Sequence, residues 1–133
     1  MDLKRNIEER KAKVAIIGAG YVGLPLAIAF AEENFKVFAI DKDKEKVKKL
    51  KAGESYIEDV SSEQVQWAVN SGLLSPTDSD EVLAEADVVI ITVPTPVTRN
   101  KEPNLTHIIE ATDSVAKYLH SPMLISLEST TYP

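Results

Sequence analysis

Short, near-continuous apolar runs recur along the chain at 13–18 (KVAIIG), 36–41 (KVFAID), 87–93 (DVVIITV) and 122–127 (PMLISL). Each is too short for a typical helix and carries β-branched or other large apolar side chains, which predicts strands buried on both faces. A further run at 73–77, LLSPT, carries a proline. It predicts an edge strand, because proline has no N–H to give a central ladder.

Between these runs the apolar residues return at helical spacing. LPLAIAFAEEN (24–34) places Leu26, Ala29 and Phe30 on one face, with Pro25 tolerable in the first turn. KDKEKVKKLKAG (42–53) predicts a charged helix closed by glycine. ESYIEDV (54–60) reads as a loop leading into a helix over 61–71, where Ser61 and Gln64 have capping-box spacing and Val60 and Val65 are set for a hydrophobic staple. DSDEVLAEA (78–86) repeats the cap pattern with Asp78 and Glu81. LTHIIEATDSVAKYL (105–119) carries a stripe of Leu105, Ile108, Ile109, Thr112, Val115 and Leu119. Residues 1–12 read as a solvated arm or short helix, with Leu3 and Ile7 its only large apolar residues. Strand–helix alternation with doubly buried strands requires a parallel sheet covered by helices on both faces. The expected fold is α/β, a Rossmann-type doubly wound parallel sheet that stops after about the fifth strand. Residues 13–133 form this unit.

The first strand-to-helix turn reads GAGYVG, with Gly18, Gly20 and Gly23. Glycines at that spacing are weak evidence alone. Here they leave a strand, open a helix, and are followed by Asp41 at the tip of the next strand, 18 residues past Gly23. Each part has a physical task in binding a dinucleotide. Gly18 permits the tight turn, Gly20 lets a pyrophosphate approach the backbone, and Gly23 lets the helix pack close to the strand. The helix N-terminus offers N–H groups and a positive dipole end. Asp41 would accept from the ribose hydroxyls and repel a 2′-phosphate, which favours NAD over NADP. Lys42, Lys44 and Lys46 pull the other way, since a basic neighbourhood can accept a phosphate. In the strand order 3-2-1-4-5-6, the ligand crevice lies beside the strand at 87–93, so VPTP (93–96) faces GAGYVG. There Pro94 can wall an adenosine face and Thr95 offers a hydroxyl; a loop merely stiffened by two prolines fits the spacing as well.

Charge and composition narrow the partners. The excess of 21 acidic over 15 basic residues, scattered along the chain, argues against a general nucleic-acid surface. With no cysteine there is no disulfide, thiolate metal site or thiol nucleophile, which fits a reducing compartment. The start, MDLKRNIEERKAK, is too charged for a signal peptide. LPLAIAFA and ADVVIITV fall far short of the ~20 residues that span a bilayer. A cytoplasmic protein without membrane or metal is expected. His107 and His120 have no metal-ligand spacing to any partner. Trp67 and Tyr118 read as packing residues, and TRNK (98–101) as an exposed loop that could also meet a substrate phosphate.

Taken together, GAGYVGLPLA, AGESYIEDV, VPTPVTRNKEPNL and SLESTTYP resemble one family over nearly the whole length. The chain is similar to the N-terminal NAD-binding domain of the UDP-glucose/GDP-mannose dehydrogenases, which oxidise the C6 alcohol of a nucleotide sugar to a carboxylate in two NAD-dependent steps. The resemblance implies that Gly18, Gly20, Tyr21, Val22 and Gly23 line the pyrophosphate turn. It also implies that Asp41 and Lys46 hold the adenosine ribose, and that Val93, Pro94 and Thr95 border the cofactor. Thr130, in EST, matches a threonine beside the nicotinamide that positions a water or polarises the substrate oxygen. GESYIEDV is more similar to members acting on UDP-N-acetylhexosamines, such as UDP-GlcNAc or UDP-ManNAc. The family's nucleophilic cysteine and most of its UDP-sugar site lie beyond this length, so these residues are expected to bind NAD without turning over substrate. The full-length enzyme is expected to be a homodimer. A stand-alone nucleotide-binding regulatory module is the alternative. A β-hydroxyacid dehydrogenase-like relative shares the glycine turn but explains GESYIEDV and SLESTTYP poorly.

Overall fold

The computed structural model describes residues 3–93 and 105–128. The elements run α1 (Leu3–Glu8), β1 (Lys13–Ile17), α2 (Gly23–Glu32), β2 (Lys36–Ile40), α3 (Lys44–Lys51), α4 (Ser62–Asn70) and β3 (Leu74–Thr77). A 3₁₀ helix (Asp80–Glu85), β4 (Val88–Ile91), α5 (Thr106–Lys117) and β5 (Leu124–Leu127) follow. The strands form one sheet in the order β3-β2-β1-β4-β5, every pairing parallel. This is the doubly wound arrangement that the strand–helix alternation predicts. Among the described residues no helix is long and apolar enough to cross a membrane.

The two faces of the sheet follow from the period of two along each strand. Val14, Ile16, Val37, Ala39, Val88 and Ile90 point to one side, where Leu24, Ala27, Ile28 and Ala31 of α2 pack with Leu50, Val65 and Ala68. Ala15, Phe38, Ile40, Val89 and Ile91 point to the other, against Leu83, Ala86, Ala111 and Val115. All four residues of β4 are buried, and it pairs on both sides. Pro76 sits in β3 at the sheet edge, as its missing N–H requires. Ile7 of α1 packs on the first cluster, so the N-terminal arm rests partly on the domain.

Local signals hold in detail where side chains dictate them. Ser61 and Gln64 make both bonds of the capping box, and Val60 and Val65 are buried in one cluster. Asp43 caps α3, accepting from the N–H of Glu45 and Lys46, and Gly53 ends it at φ +80°. Four expectations need correction. On α2 the packed face is Leu24, Ala27, Ile28 and Ala31, while Leu26 and Phe30 are only partly buried and Ala29 is exposed. The cap at Asp78 moves by one residue: Ser79 Oγ accepts from Glu81 N at 3.3 Å and opens a 3₁₀ helix. Asp78 instead lies 4.0 Å from Lys44 Nζ. On α5 the packed face is Ile108, Ala111, Val115 and the following Tyr118. Leu105 and Leu119 fall outside the helix, while Ile109 and Thr112 lie a step around its axis and are exposed. Ala111 decides this, because its small side chain lets the helix approach the sheet. Trp67 is half exposed, so packing does not account for it.

Backbone segments approach closely at the turn after β1. Gly18 adopts φ +100°. A Cβ on Gly23 would overlap the Gly18 carbonyl oxygen and lie 2.5 Å from Thr92 Oγ1. A Cβ on Gly20 would meet nothing within 4 Å. Gly23→Ala is therefore expected to cost ~3 kcal/mol in denaturant unfolding. Gly20→Ala should change stability by under ~1 kcal/mol. Equal losses would show that close helix–strand packing is not what Gly23 provides.

Candidate functional site

Parallel register brings the carboxyl ends of β1, β2 and β4 to one height, with Ile17 beside Ile40 and Ile91. The turn after β1 crosses this crest. Gly18 N donates to Ile40 O at 2.7 Å, and Thr92 N donates to Ile17 O at 2.8 Å. Thr92, the one buried polar residue among those described, donates its hydroxyl to Gly18 O at 2.6 Å. Val22 stands at the N-cap of α2 and offers no side-chain cap; Leu24 N donates to Gly20 O at 3.0 Å and Pro25 has no N–H, which leaves the Gly23 N–H of the first turn to a ligand or solvent.

Asp41 is placed by the turn that it serves. Its Oδ2 accepts from Ala19 N and its Oδ1 from Asp43 N, each at 2.9 Å. A carboxylate oxygen can accept more than one bond, so capacity for a ribose diol remains. The carboxylate borders a cavity of about 460 Å³ with Gly18, Lys42, Lys46, Val93 and Glu110 among its walls. Val93 is buried and follows Thr92 into that wall. Tyr21 projects into solvent, 83% exposed, and lines a neighbouring cavity of about 360 Å³ with Gly20, Lys46, Lys49, Tyr56 and Ile57.

The three lysines that cloud the choice of cofactor each have a partner. Lys42 pairs with Glu110 of α5, joining two walls of the larger cavity. The hydrogen bond and charge of Lys42 hold the Glu110 carboxyl below the usual carboxylate range. Lys44 lies near Asp78, and the Lys46 ammonium sits 5.8 Å from the Tyr56 ring centroid. The structure thus gathers Gly18, Gly20, Tyr21, Val22, Gly23, Asp41, Lys46 and Val93 at one end of the sheet. Pro94, Thr95 and Thr130 lie outside the described residues.

Sequence reasoning missed Thr92, Glu110 and Tyr56. Thr92 hid inside an apolar strand pattern, and Glu110 is one acid among many on an amphipathic helix. No local signal marks Tyr56, whose contacts are made across 37 residues. His107, read as a helix-surface histidine, is exposed but also borders the larger cavity.

The features agree with one ligand class. Gly20 leaves open space over the backbone, a helix without a side-chain cap begins just after it, and an acid at the tip of the next strand shares a cavity wall with Gly18. This is the arrangement of a Rossmann-type dinucleotide-binding domain. Residues 12–133 match the profile of the UDP-glucose/GDP-mannose dehydrogenase family, NAD binding domain, and the chain belongs to that family. It is 37% identical over 123 residues to the UDP-N-acetyl-D-glucosamine 6-dehydrogenase of Salmonella typhi, covering 92% of this chain and 28% of that protein. It is 40% identical over 121 residues to the UDP-N-acetyl-D-mannosamine dehydrogenase of Campylobacter jejuni, covering 90% and 29%. The solved UDP-D-ManNAc dehydrogenase of Pyrococcus horikoshii superposes with a TM-score of 0.83 at 34% identity, over 89% of this chain and 28% of that one. The chain thus spans under a third of the length of these relatives.

Thr92→Val keeps the side chain's shape and removes its hydroxyl. Leaving the buried Gly18 carbonyl short of a partner is expected to cost ~1–2 kcal/mol. A shift in the urea midpoint with unchanged slope measures this; an unchanged midpoint would refute the role given to Thr92.

Proposed function

We propose that residues 13–133 are the cofactor half of an NAD-dependent nucleotide-sugar 6-dehydrogenase, with residues 1–12 an appended arm. The observation that carries this reading is the bond from Ala19 N to Asp41 Oδ2 at 2.9 Å, which ties the ribose-selecting acid to the pyrophosphate turn. The backbone at Gly18, Gly20, Tyr21, Val22 and Gly23 takes the pyrophosphate against the uncapped end of α2. Asp41 and Lys46 hold the adenosine ribose. Val93 and Pro94 border the cofactor, with Pro94 walling an adenosine face; Thr95 holds the far side of the cofactor, and Thr130 orders a water or polarises the substrate oxygen at the nicotinamide end.

NAD, when bound, supplies the hydride acceptor for each oxidation step. This chain's part is to bind and orient. The family's second step needs a nucleophile that adds to an aldehyde before a further hydride can leave. The 133 residues contain no cysteine to serve as one, so they bind cofactor without oxidising a sugar. The names of the relatives support a UDP-N-acetylhexosamine as the substrate of the whole enzyme; we read that enzyme as a homodimer of the cytoplasm. Preference for NAD over NADP follows from Asp41, supported by the engagement of Lys42 with Glu110 and of Lys44 with Asp78.

Isothermal titration should show NAD and NADH binding to the folded chain, with NADP weaker; no heat from either NAD or NADH would refute the reading. Asp41→Ala should weaken NAD by about tenfold, the worth of one charge-assisted pair of hydrogen bonds, and NADP by less. Equal losses for both cofactors would remove Asp41 from its assigned role.

A further inference from the structure

The loop between α3 and α4 is built in more detail than a connection needs. Gly53 turns the chain at φ +80°. Ser55 N then donates to Ser62 Oγ at 3.0 Å. Ser55 Oγ donates to Ile57 O at 3.0 Å and accepts from Ile57 N at 3.2 Å. Ile57 and Val60 are buried in the main core. Tyr56 is therefore held from both sides, between a hydrogen-bonded serine and an anchored isoleucine.

Its hydroxyl donates to Ala19 O at 2.5 Å, across 37 residues of sequence. Ala19 N donates to Asp41 Oδ2 at 2.9 Å. Both peptide groups that flank Ala19 are thus fixed by side chains from outside the turn. A trans peptide is planar, with its C=O and N–H pointing in opposite directions. Fixing the Ala19 carbonyl on Tyr56 therefore fixes the Gly20 N–H, turned away from the Tyr56 loop. Gly20 has no Cβ and open space around it; its carbonyl accepts from Leu24 N at 3.0 Å, so without the Tyr56 bond the Ala19–Gly20 peptide has an anchor on each neighbouring peptide and none of its own.

We propose that Tyr56 is a positioning residue for the cofactor pyrophosphate, acting through the Ala19 carbonyl to preset the orientation of the Gly20 amide. This rests on the NAD-binding reading above. A donor oriented before binding spares the ordering cost that a mobile glycine would incur on association. Burial first, then the carboxylates of Asp41 and Asp43, push the phenol's pKa up, so it remains a donor throughout the working pH range. The ring has a second task, beneath the Lys46 ammonium at 5.8 Å. Phenylalanine would keep that contact, so Tyr56→Phe isolates the hydroxyl.

The plain alternative is that Tyr56 only satisfies its own half-buried O–H, as tyrosines packed at the edge of a core ordinarily do. The two differ in what the variant changes. Wild type and Tyr56→Phe are compared in thermal stability, in the ¹⁵N order parameter of the free Gly20 amide, and in affinity for NAD, ADP-ribose and adenosine. Positioning predicts a lower Gly20 order parameter, about tenfold weaker NAD and ADP-ribose, and unchanged adenosine, which has no phosphate. Ser55→Ala, which loosens the loop and leaves the phenol in place, should move the same readouts by less. An unchanged Gly20 order parameter with NAD affinity within about twofold of wild type would overturn the inference and leave the NAD reading standing. Equal weakening of adenosine and ADP-ribose would overturn it in favour of general structural damage. Failure of the wild-type chain itself to bind NAD would overturn the functional reading and this inference with it.

Discussion

Thr92 Oγ1 donates to Gly18 O at 2.6 Å, and this contact joins the end of β4 to the turn that opens α2. Three backbone segments meet there with no room for a side chain. Gly18 abuts Thr92 and Val93, and Gly23 lies against Gly18 and Thr92. The start of α2 can lie over the crest of the sheet only because both positions are glycine. Everything assigned to the ligand depends on that placement: the uncapped helix end, the open face of Gly20, and the cavity wall continued by Val93. The hydroxyl of Thr92 is a polar group in an otherwise apolar interior, and its two acceptors, Ile17 O and Gly18 O, make its burial tolerable.

Around this contact the charges are arranged more for position than for strength. Asp41 is engaged by two backbone N–H groups and so has a defined direction before any ligand arrives. The lysines nearby are mostly exposed, and exposed ion pairs contribute little to stability. What the Lys42–Glu110 pair does is connect α5 with the tip of β2 across the cavity. Lys46 rests on an aromatic ring between the two cavities and borders both.

Much of the fold was legible because short-range chemistry dictated it. The apolar runs gave the five strands of the described residues, the proline of LLSPT put β3 on an edge, and Ser61 with Gln64 announced the start of α4. The glycine turn and Asp41 gave the class of site for the same reason, since each has a task that few other residues can perform. What escaped depended on tertiary context. The buried face of α5 turned on Ala111, which a hydrophobicity pattern underweights beside Leu105 and Ile109. The cap at Ser79 prevailed over Asp78 once the segment took 3₁₀ geometry. Tyr56 and Thr92 act through bonds to backbone carbonyls far away in sequence, and no spacing rule reads such bonds from one chain.

The pairing of β1 with β4 carries a further consequence for how the molecule comes together. Lys13 N donates to Asp87 Oδ2 and Asp87 N to Lys13 O, closing a loop of 74 residues. Loop closure of that span must be met in entropy before the contacts return anything, which makes such parallel pairings slow to form. The cavity walled by Ile17, Gly18 and Val93 lies at the carboxyl end of the β1–β4 pairing, so it is absent from any partly folded chain in which that pairing is still open. A dinucleotide at about a hundredfold its Kd would then add ~2.7 kcal/mol to the native state alone. A dinucleotide that bound there would thereby raise the share of the chain that persists as folded protein.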